Sequence, residues 1–519
     1  MGLRLLAGLP RYLRRPLSVA DSRAILRGRL ERRDDDFLDL AKRAIFDNPQ
    51  SPYLPLLREA GCGYGDLETS VRKDGLDAAL LALYRAGVYM TLDEYKGRAP
   101  IVRGALSVET DPSRLINPLL SPQYLGATSG SRGQGTMVPL DLACIRDRAV
   151  NMQLALDTRG GAAWRNAVWA IPAVAPILWY SACGGPAERW FWPIDPKESG
   201  LHPRYRRSAR VVAWSGRLAG VPMPFPEHVS PDAPLPIARW MERSLREGRI
   251  PHLWTFPSSA ARLCLAAEAA GLDLAGAQFT VTGEPVTEAR LSAIRRVGAG
   301  VAPDYGSADS GGTAACGCLA PEAPDEVHLF SDLNALVQAE GPPFPAGALL
   351  LTSIRPTAPF IFLNVSMGDR AIVTGRRCGC PAEALGWRTH LRDVRSFEKL
   401  TAGGVTFADK DVIRILEEVL PGRFGGGPAD YQLVEEEARD GRPQLLILAR
   451  PSVPDFDPGE LAEVFLRALG SDSETRRVMA LQIKEAGLLR IERRPPVASS
   501  SGKILHVWSG QALPPGNGE

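Results

Sequence analysis

The 519-residue chain predicts a large α/β body followed by a small α+β C-terminal domain, and three observations carry this. From about residue 105 to 390, short apolar runs bounded by Gly/Pro clusters alternate with helical stretches, the pattern of a layered α/β structure. Residues 21–100 read as mostly helical and charged, a leader to that body. Near 392 the pattern changes to helix, strand pair and helix. The expected division is 1–391, with the leader spanning about 1–104, and 392–519.

Taken in order, the first 33 residues hold nine arginines against Asp21 and Glu31, with Leu3, Leu5, Leu6, Leu9, Tyr12 and Leu13 interspersed. This predicts a helix packed on the body; a surface-seeking amphipathic helix and a transit peptide are the alternatives. In the body the apolar runs are Ala167–Ala175, Val211–Trp214, Gln278–Thr282, Ala348–Thr352 and Arg370–Thr374. Helices are expected at Leu140–Asp157, Pro236–Glu247, Ser258–Ala270 and Thr287–Val297. In the C-terminal part, Val412, Ile415, Leu416, Val419 and Leu420 share a helical face that Pro421-Gly422 should end. Strands follow at 431–437 and 443–450. Asp457, Pro458 and Glu460 form a helix start, and Gly470 the stop.

Composition is that of a soluble globular protein: 45% hydrophobic, 23% charged, net charge +2, with no electrostatic reason for a nucleic-acid partner. The longest charge-free run, Asn166–Ala187, is interrupted by Pro172, Pro176 and Pro186 and reads as buried strands and turns, so no transmembrane segment is expected. Cys62, Cys144, Cys183 and Cys264 are scattered as small hydrophobes, whereas Cys316/Cys318 and Cys378/Cys380 form two Cys-x-Cys pairs that look like ligands. A cytoplasmic location follows from that usage.

Residues 124–140, YLGATSGSRGQGTMVPL, form a glycine- and hydroxyl-rich loop suited to phosphate. Glycine lets an anion approach the backbone, Thr128, Ser129 and Ser131 add donors, and Arg132 adds charge. The spacing fits neither the dinucleotide fingerprint nor the P-loop. Four further stretches follow in order: Gly283-Glu284-Pro285, Tyr305-Gly306-Ser307-Ala308-Asp309, Gly368-Asp369 with His390–Lys399, and Gly502-Lys503.

These motifs together resemble the adenylate-forming (ANL) superfamily, most closely its phenylacetate-CoA ligase-like branch. The resemblance implies that Thr128, Ser129, Gly130, Ser131 and Gly133 hold the ATP phosphates and that Gly283, Glu284 and Pro285 line the adenine pocket. It implies that Tyr305 stacks on adenine beside Gly306, that Asp309 helps hold Mg2+, and that Asp369 accepts from the ribose hydroxyls. Arg392 or Arg395 then contacts ribose at a hinge, and Lys503 swings in as a catalytic cation alongside Arg132. Three departures are visible: Asp309 replaces glutamate, Ala308 replaces a hydroxyl residue, and the arginine and tyrosine usual before Gly368 are missing.

Cys316, Cys318, His328, Cys378 and Cys380 supply five ligands, one more than a structural Zn2+ needs. Members of the branch carry a similar set; here either Cys316 or Cys318 can serve, and the role implied is structural. The activity implied is ATP-dependent conversion of a small carboxylic acid to acyl-AMP and pyrophosphate, then transfer to coenzyme A or the phosphopantetheine of an acyl carrier protein. The alternatives are transfer to an amine, or a non-catalytic nucleotide- or partner-binding homologue. Trp169, Trp179, Tyr180, Trp254 and Phe256 are either core or the walls of an aromatic acid pocket.

Overall fold

In the computed structural model the described residues are 2–127, 137–171, 174–195, 197, 203–231, 233–283, 286–396, 399–402, 405–408, 412, 414–427, 430–437, 443–471, 474–497 and 507–509. A twelve-stranded sheet forms the centre. Its first half comprises β1 (Arg165–Trp169), β2 (Arg189–Trp192), β3 (Pro226–His228), β4 (Pro251–Thr255), β5 (Gln278–Val281) and β6 (Gly300–Ser307). These pair in parallel in the order β3-β2-β1-β4-β5-β6.

Parallel strands need cover on both faces, so their sequences are apolar at successive positions rather than alternating. β1 shows this in Ala167, Val168 and Trp169, all buried. One face sends Ala167, Trp169, Phe191, Leu253 and Phe279 into a core with helices Leu235–Arg246, Pro257–Ala269 and Glu288–Arg296. The other sends Val168, Trp190 and Trp192 against helices Leu142–Asp157, Val174–Ala182 and Pro203–Leu218. The chain runs from β1 outward to β2 and β3, then places β4 on the opposite side of β1. Strand order reverses there, and in open α/β sheets the crevice beyond the carboxyl ends at such a reversal is where ligands bind.

The second half is antiparallel and continues the sheet as β6-β7-β8-β12-β11-β10-β9. Here β7 is Gly312–Gly317, β8 Val327–Leu329, β9 Asn334–Gln338, β10 Ala348–Ser353, β11 Val365–Gly375 and β12 Thr389–Ser396. The helices between Arg33 and Tyr95 pack on this half through Leu56, Leu80 and Leu83 against Ala335, Leu350 and Phe362. Backbone bonds between Met90 and Asn364 and between Ser366 and Met90 tie that leader to β11.

The N-terminal helix Gly2–Leu13 packs on the body, as its apolar spacing predicts. Leu5, Leu9 and Leu13 are buried, and the Tyr12 hydroxyl donates to Leu178 O at 2.9 Å. Burial is worth about 1.5–3 kcal/mol per leucine, so these three side chains anchor the helix while Arg4 and Arg11 stay in water.

Two elements differ from expectation. Val211–Trp214 lies inside helix Pro203–Leu218, where Tyr205, Ala209, Val212, Ala213 and Gly216 recur on one buried face. In the charge-free run, Val174–Ala182 is a helix, buried on all sides and therefore lacking the amphipathic period that marks surface helices. Among the described residues no helix is long and apolar enough to cross a membrane.

The C-terminal part has its own four-stranded sheet of β13 (Tyr431–Glu437), β14 (Pro443–Ala449), β15 (Leu489–Arg493) and β16 (Val507–Ser509), in the order β15-β14-β13-β16. Helix Pro458–Leu469 begins where the Asp457 side chain accepts from Glu460 N–H at 2.7 Å. Leu461, Phe465 and Leu469 join Leu433, Leu445 and Ile447 in a separate core. Pro421 does not end the preceding helix. It sits in the first turn of a further segment, Leu420–Phe424, where its missing N–H is tolerated, and Gly425 at φ 80° makes the stop.

Candidate active site

The carboxyl ends of β4, β5 and β6 bring together three of the predicted stretches. β6 ends in Tyr305-Gly306-Ser307, with a register shift between Tyr305 and Gly306. Gly306 is required there, because a Cβ would come within 2.3 Å of Gly312 O. The Tyr305 hydroxyl crosses to β11 and donates to Asp369 Oδ2 at 3.0 Å. Burial and the adjacent Asp369 carboxylate push the Tyr305 phenol well above its ordinary range. Gly368, at φ 83°, turns the backbone just before that carboxylate. Gly283, at φ 83°, lies after β5, with the Phe256 ring 3.2 Å from where its Cβ would be.

The turn from β6 to β7 carries Asp309. Ser310 Oγ donates within it, to Ser307 O at 2.9 Å and Gly312 O at 3.1 Å. The buried Arg148 guanidinium grips the turn through Thr313 O at 3.2 Å and Ser310 O. Asp309 is buried and takes Lys96 Nζ on Oδ2 at 2.9 Å. Lys96 follows the short helix Leu92–Tyr95, fixed by a reciprocal cap in which Glu94 N–H donates to Thr91 Oγ1 and Thr91 N–H to Glu94 Oε2. Asp309 Oδ1 is buried, and the buried Tyr95 hydroxyl lies beside the carboxylate. With Oδ2 committed to ammonium, Asp309 would offer a Mg2+ one oxygen, water and the ATP phosphates completing its octahedral shell. Lys96 had no sequence signal, being a single lysine in a charged helical stretch.

Arg392 and Arg395, on β12, face acids of the loop before β8. Arg395 donates to Asp325 Oδ2 at 2.8 Å, and Arg392 lies 3.6 Å from Glu322. Asp325 also accepts from the backbone N–H of Asp393 at 2.9 Å and of Val394 at 2.8 Å, holding Asp393 at φ 53°. Neither arginine bonds Asp369 among the described interactions.

Of the five candidate metal ligands, four converge: the ligand atoms of Cys318, His328, Cys378 and Cys380 all lie within 4.8 Å of one another. Cys316 stays outside this set, in the core with Trp179 and Tyr180. His328 Nε2 lies 3.1 Å from Cys380 Sγ and 3.7 Å from Cys378 Sγ, while its Nδ1 donates to Trp387 O at 2.7 Å. That outer bond selects the tautomer whose Nε2 is free to ligate. Burial, aided by His390, lowers the His328 pKa to about 4, so the ring is neutral. Three thiols and one imidazole fit a tetrahedral Zn2+. Arg376 braces the set, 3.8 Å from Cys318 Sγ and bonded to Glu326 at 2.8 Å.

Thr128, Ser129, Gly130, Ser131, Arg132, Gly133, Glu284, Pro285 and Lys503 lie outside the described residues. Trp169 does not line the site: it faces the opposite side of the sheet and donates to Val229 O at 3.0 Å. Trp179, Tyr180, Trp254 and Phe256 are on the site's side.

No protein-family model and no curated protein matches this sequence. Solved structures do. The chain has the fold of an adenylate-forming ligase, an adenylation body followed by a C-terminal subdomain. The structure that carries this is 2-hydroxyisobutyryl-CoA ligase, in complex with 2-HIB-AMP and CoA in the thioesterification state, with a TM-score of 0.55 at 15% identity over 92% of this chain and 89% of that one. Weaker likenesses are the o-succinylbenzoate CoA synthetase of Bacillus subtilis (TM-score 0.42, 12% identity, 78% of this chain and 72% of that) and an amide bond synthetase of Marinactinospora thermotolerans (0.39, 13%, 88% and 92%). At these identities the likeness is one of fold.

Proposed function

We propose that the protein activates a small carboxylic acid with ATP, forming acyl-AMP and pyrophosphate, and passes the acyl group to a thiol, coenzyme A or a carrier's phosphopantetheine. The observation that carries this reading is the bond from Tyr305, at the carboxyl end of β6, to Asp369, in a chain that shares its fold with a ligase holding an acyl-AMP and CoA. The Tyr305 ring offers a face to adenine. The outer Asp369 oxygen accepts from ribose hydroxyls, for which an acceptor-only side chain is suited. At the α-phosphate, carboxylate oxygen forms a bond to phosphorus as the bond to pyrophosphate breaks. The developing negative charge is offset by fixed cations, with Lys96 near Asp309 and Arg132 and Lys503 as further candidates. The small domain that bears Lys503 is proposed to move between the two half-reactions.

A structural Zn2+ held by Cys318, His328, Cys378 and Cys380 belongs to the same reading and would supply no chemistry to the reaction. Its loop also bears Asp325 and Glu326, so it braces β12. Carboxylate-dependent exchange of labelled pyrophosphate into ATP, run across an acid panel, tests the function. Exchange with at least one acid is expected; none with any acid overturns the reading. Addition of coenzyme A or a carrier protein then identifies the acceptor.

A further inference from the structure

Asp304 immediately precedes Tyr305 on β6, pairs across the ladder with Cys316, and is 8% exposed. Its Oδ2 is buried with no partner among the described residues. The cation near it is Arg159, whose guanidinium is used elsewhere: it donates to Thr280 Oγ1 at 3.0 Å, Gln278 Oε1 at 3.1 Å and Phe279 O at 2.9 Å. No ion pair joins Arg159 to Asp304 among the described residues. A buried carboxylate without a counter-ion is costly, and such a group beside a reaction centre is a candidate for recognition rather than for folding.

The surroundings point the same way. β-strand alternation puts Asp304 on the face that carries Trp254, which is half-buried although it sits on a central strand. Trp179 meets Trp254 edge-on at 6.3 Å, and its ring lies 2.9 Å from where a Cβ on Gly312 would be. Phe256 lies against Gly283. The aromatic set therefore runs from the turn after β5 to the turn after β6, on the side of the sheet opposite to Tyr305. Trp179 Nε1, Trp254 Nε1 and the Tyr180 hydroxyl are, like Asp304 Oδ2, buried without partners among the described residues.

We propose that the acid activated here carries a protonated amino group, and that Asp304, on the sheet face that also carries Trp254, is the residue that reads it. This rests on the adenylation reading and narrows its substrate class. An ammonium supplies what Asp304 lacks, a counter-charge and strong donors. An acid without the amino group leaves the carboxylate desolvated and unpaired, which is the arrangement that discriminates most strongly between analogues. Burial raises the Asp304 pKa to about 8, so without a cation the carboxyl holds a proton, which it releases when it pairs with an ammonium.

Matched acid pairs test this in the pyrophosphate exchange assay: phenylalanine and 3-amino-3-phenylpropanoate against 3-phenylpropanoate, 4-(aminomethyl)benzoate against 4-methylbenzoate, and 6-aminohexanoate against hexanoate. The amino member of at least one pair is expected to have the higher kcat/KM, by about ten-fold or more, as befits a charged hydrogen bond. Asp304→Asn and Asp304→Leu are expected to lower that ratio by a similar factor. Damage to folding lowers both members of a pair and leaves the ratio unmoved. Preference for the plain acid in every pair, or a ratio that both variants leave unchanged, overturns the proposal. Absence of exchange with every acid overturns instead the adenylation reading beneath it.

Discussion

Tyr305 Oη and Asp369 Oδ2 are 3.0 Å apart, a side-chain bond that joins the end of the parallel half of the sheet to the third strand from its antiparallel edge. It satisfies one oxygen of Asp369 and fixes the direction of the other. Tyr305→Phe keeps the ring and removes the bond. Its expected effect is a rise in KM for ATP of about ten-fold, the worth of a hydrogen bond to a charged group, with a smaller change in kcat. Steady-state exchange kinetics check this, and an unchanged KM would show that Asp369 needs no orientation.

Lys96 and Asp309 form a buried pair whose partners are 14% and 5% exposed. Removing one partner from such a pair costs about 3–5 kcal/mol, because the other charge is left buried. Lys96→Met should therefore lower stability in urea unfolding by that order and cut pyrophosphate exchange by about a hundred-fold, within the range for loss of one stabilising electrostatic contact in a reaction centre. Combining it with Asp309→Asn should recover part of the stability and none of the exchange.

Metal content separates two cysteines that are two residues apart. The wild-type chain is expected to hold about one Zn2+; Cys318→Ser should lose it, whereas Cys316→Ser should keep it, because only Cys318 joins the four-ligand set. Elemental analysis of the purified proteins decides. Equal retention in both variants would remove Cys318 from the site.

Asp304 gives stability a pH dependence. Its folded-state pKa, about 8, lies above that of the unfolded chain, so the folded state holds a proton that the unfolded state releases. Stability from this group is complete at acid pH and falls as pH rises from about 4 to 8. The groups that face it are Arg159, which opposes the shift, and Tyr180 and Cys316, neutral in this range. Asp304→Asn should thus be more stable than wild type at pH 8.5, by on the order of 1–3 kcal/mol, with the difference shrinking toward pH 5. Melting curves at the two pH values read it out.

The layered α/β character was legible because helices such as Leu235–Arg246 carry the 3.6-residue period locally and parallel strands such as Gln278–Val281 stand out as short apolar runs between turn residues. Helix Val174–Ala182 was not, since a segment buried all round shows neither period. Nor could spacing decide between Cys316 and Cys318. Cys316 lies within β7, which ends at Gly317, so Cys318 escapes the strand's alternation and turns to His328. Tyr305 and Asp369 were legible through their neighbours in sequence. Lys96 and Asp304 were not, because what distinguishes them is contact and burial across 213 residues in one case and the absence of a counter-ion in the other.

The reversal of strand order has a consequence for synthesis. β4 must enter beside β1 after β2 and β3 have been made, and the crevice closes only when β6, its turn and β11 arrive. A nascent chain released at residue 300 would hold Lys96 and half a sheet with an unpaired edge at β5 and no Asp309 to receive the ammonium. The site is thus a late product of translation, and until β6 follows the growing chain carries an open strand edge, a condition that favours aggregation and calls for chaperones.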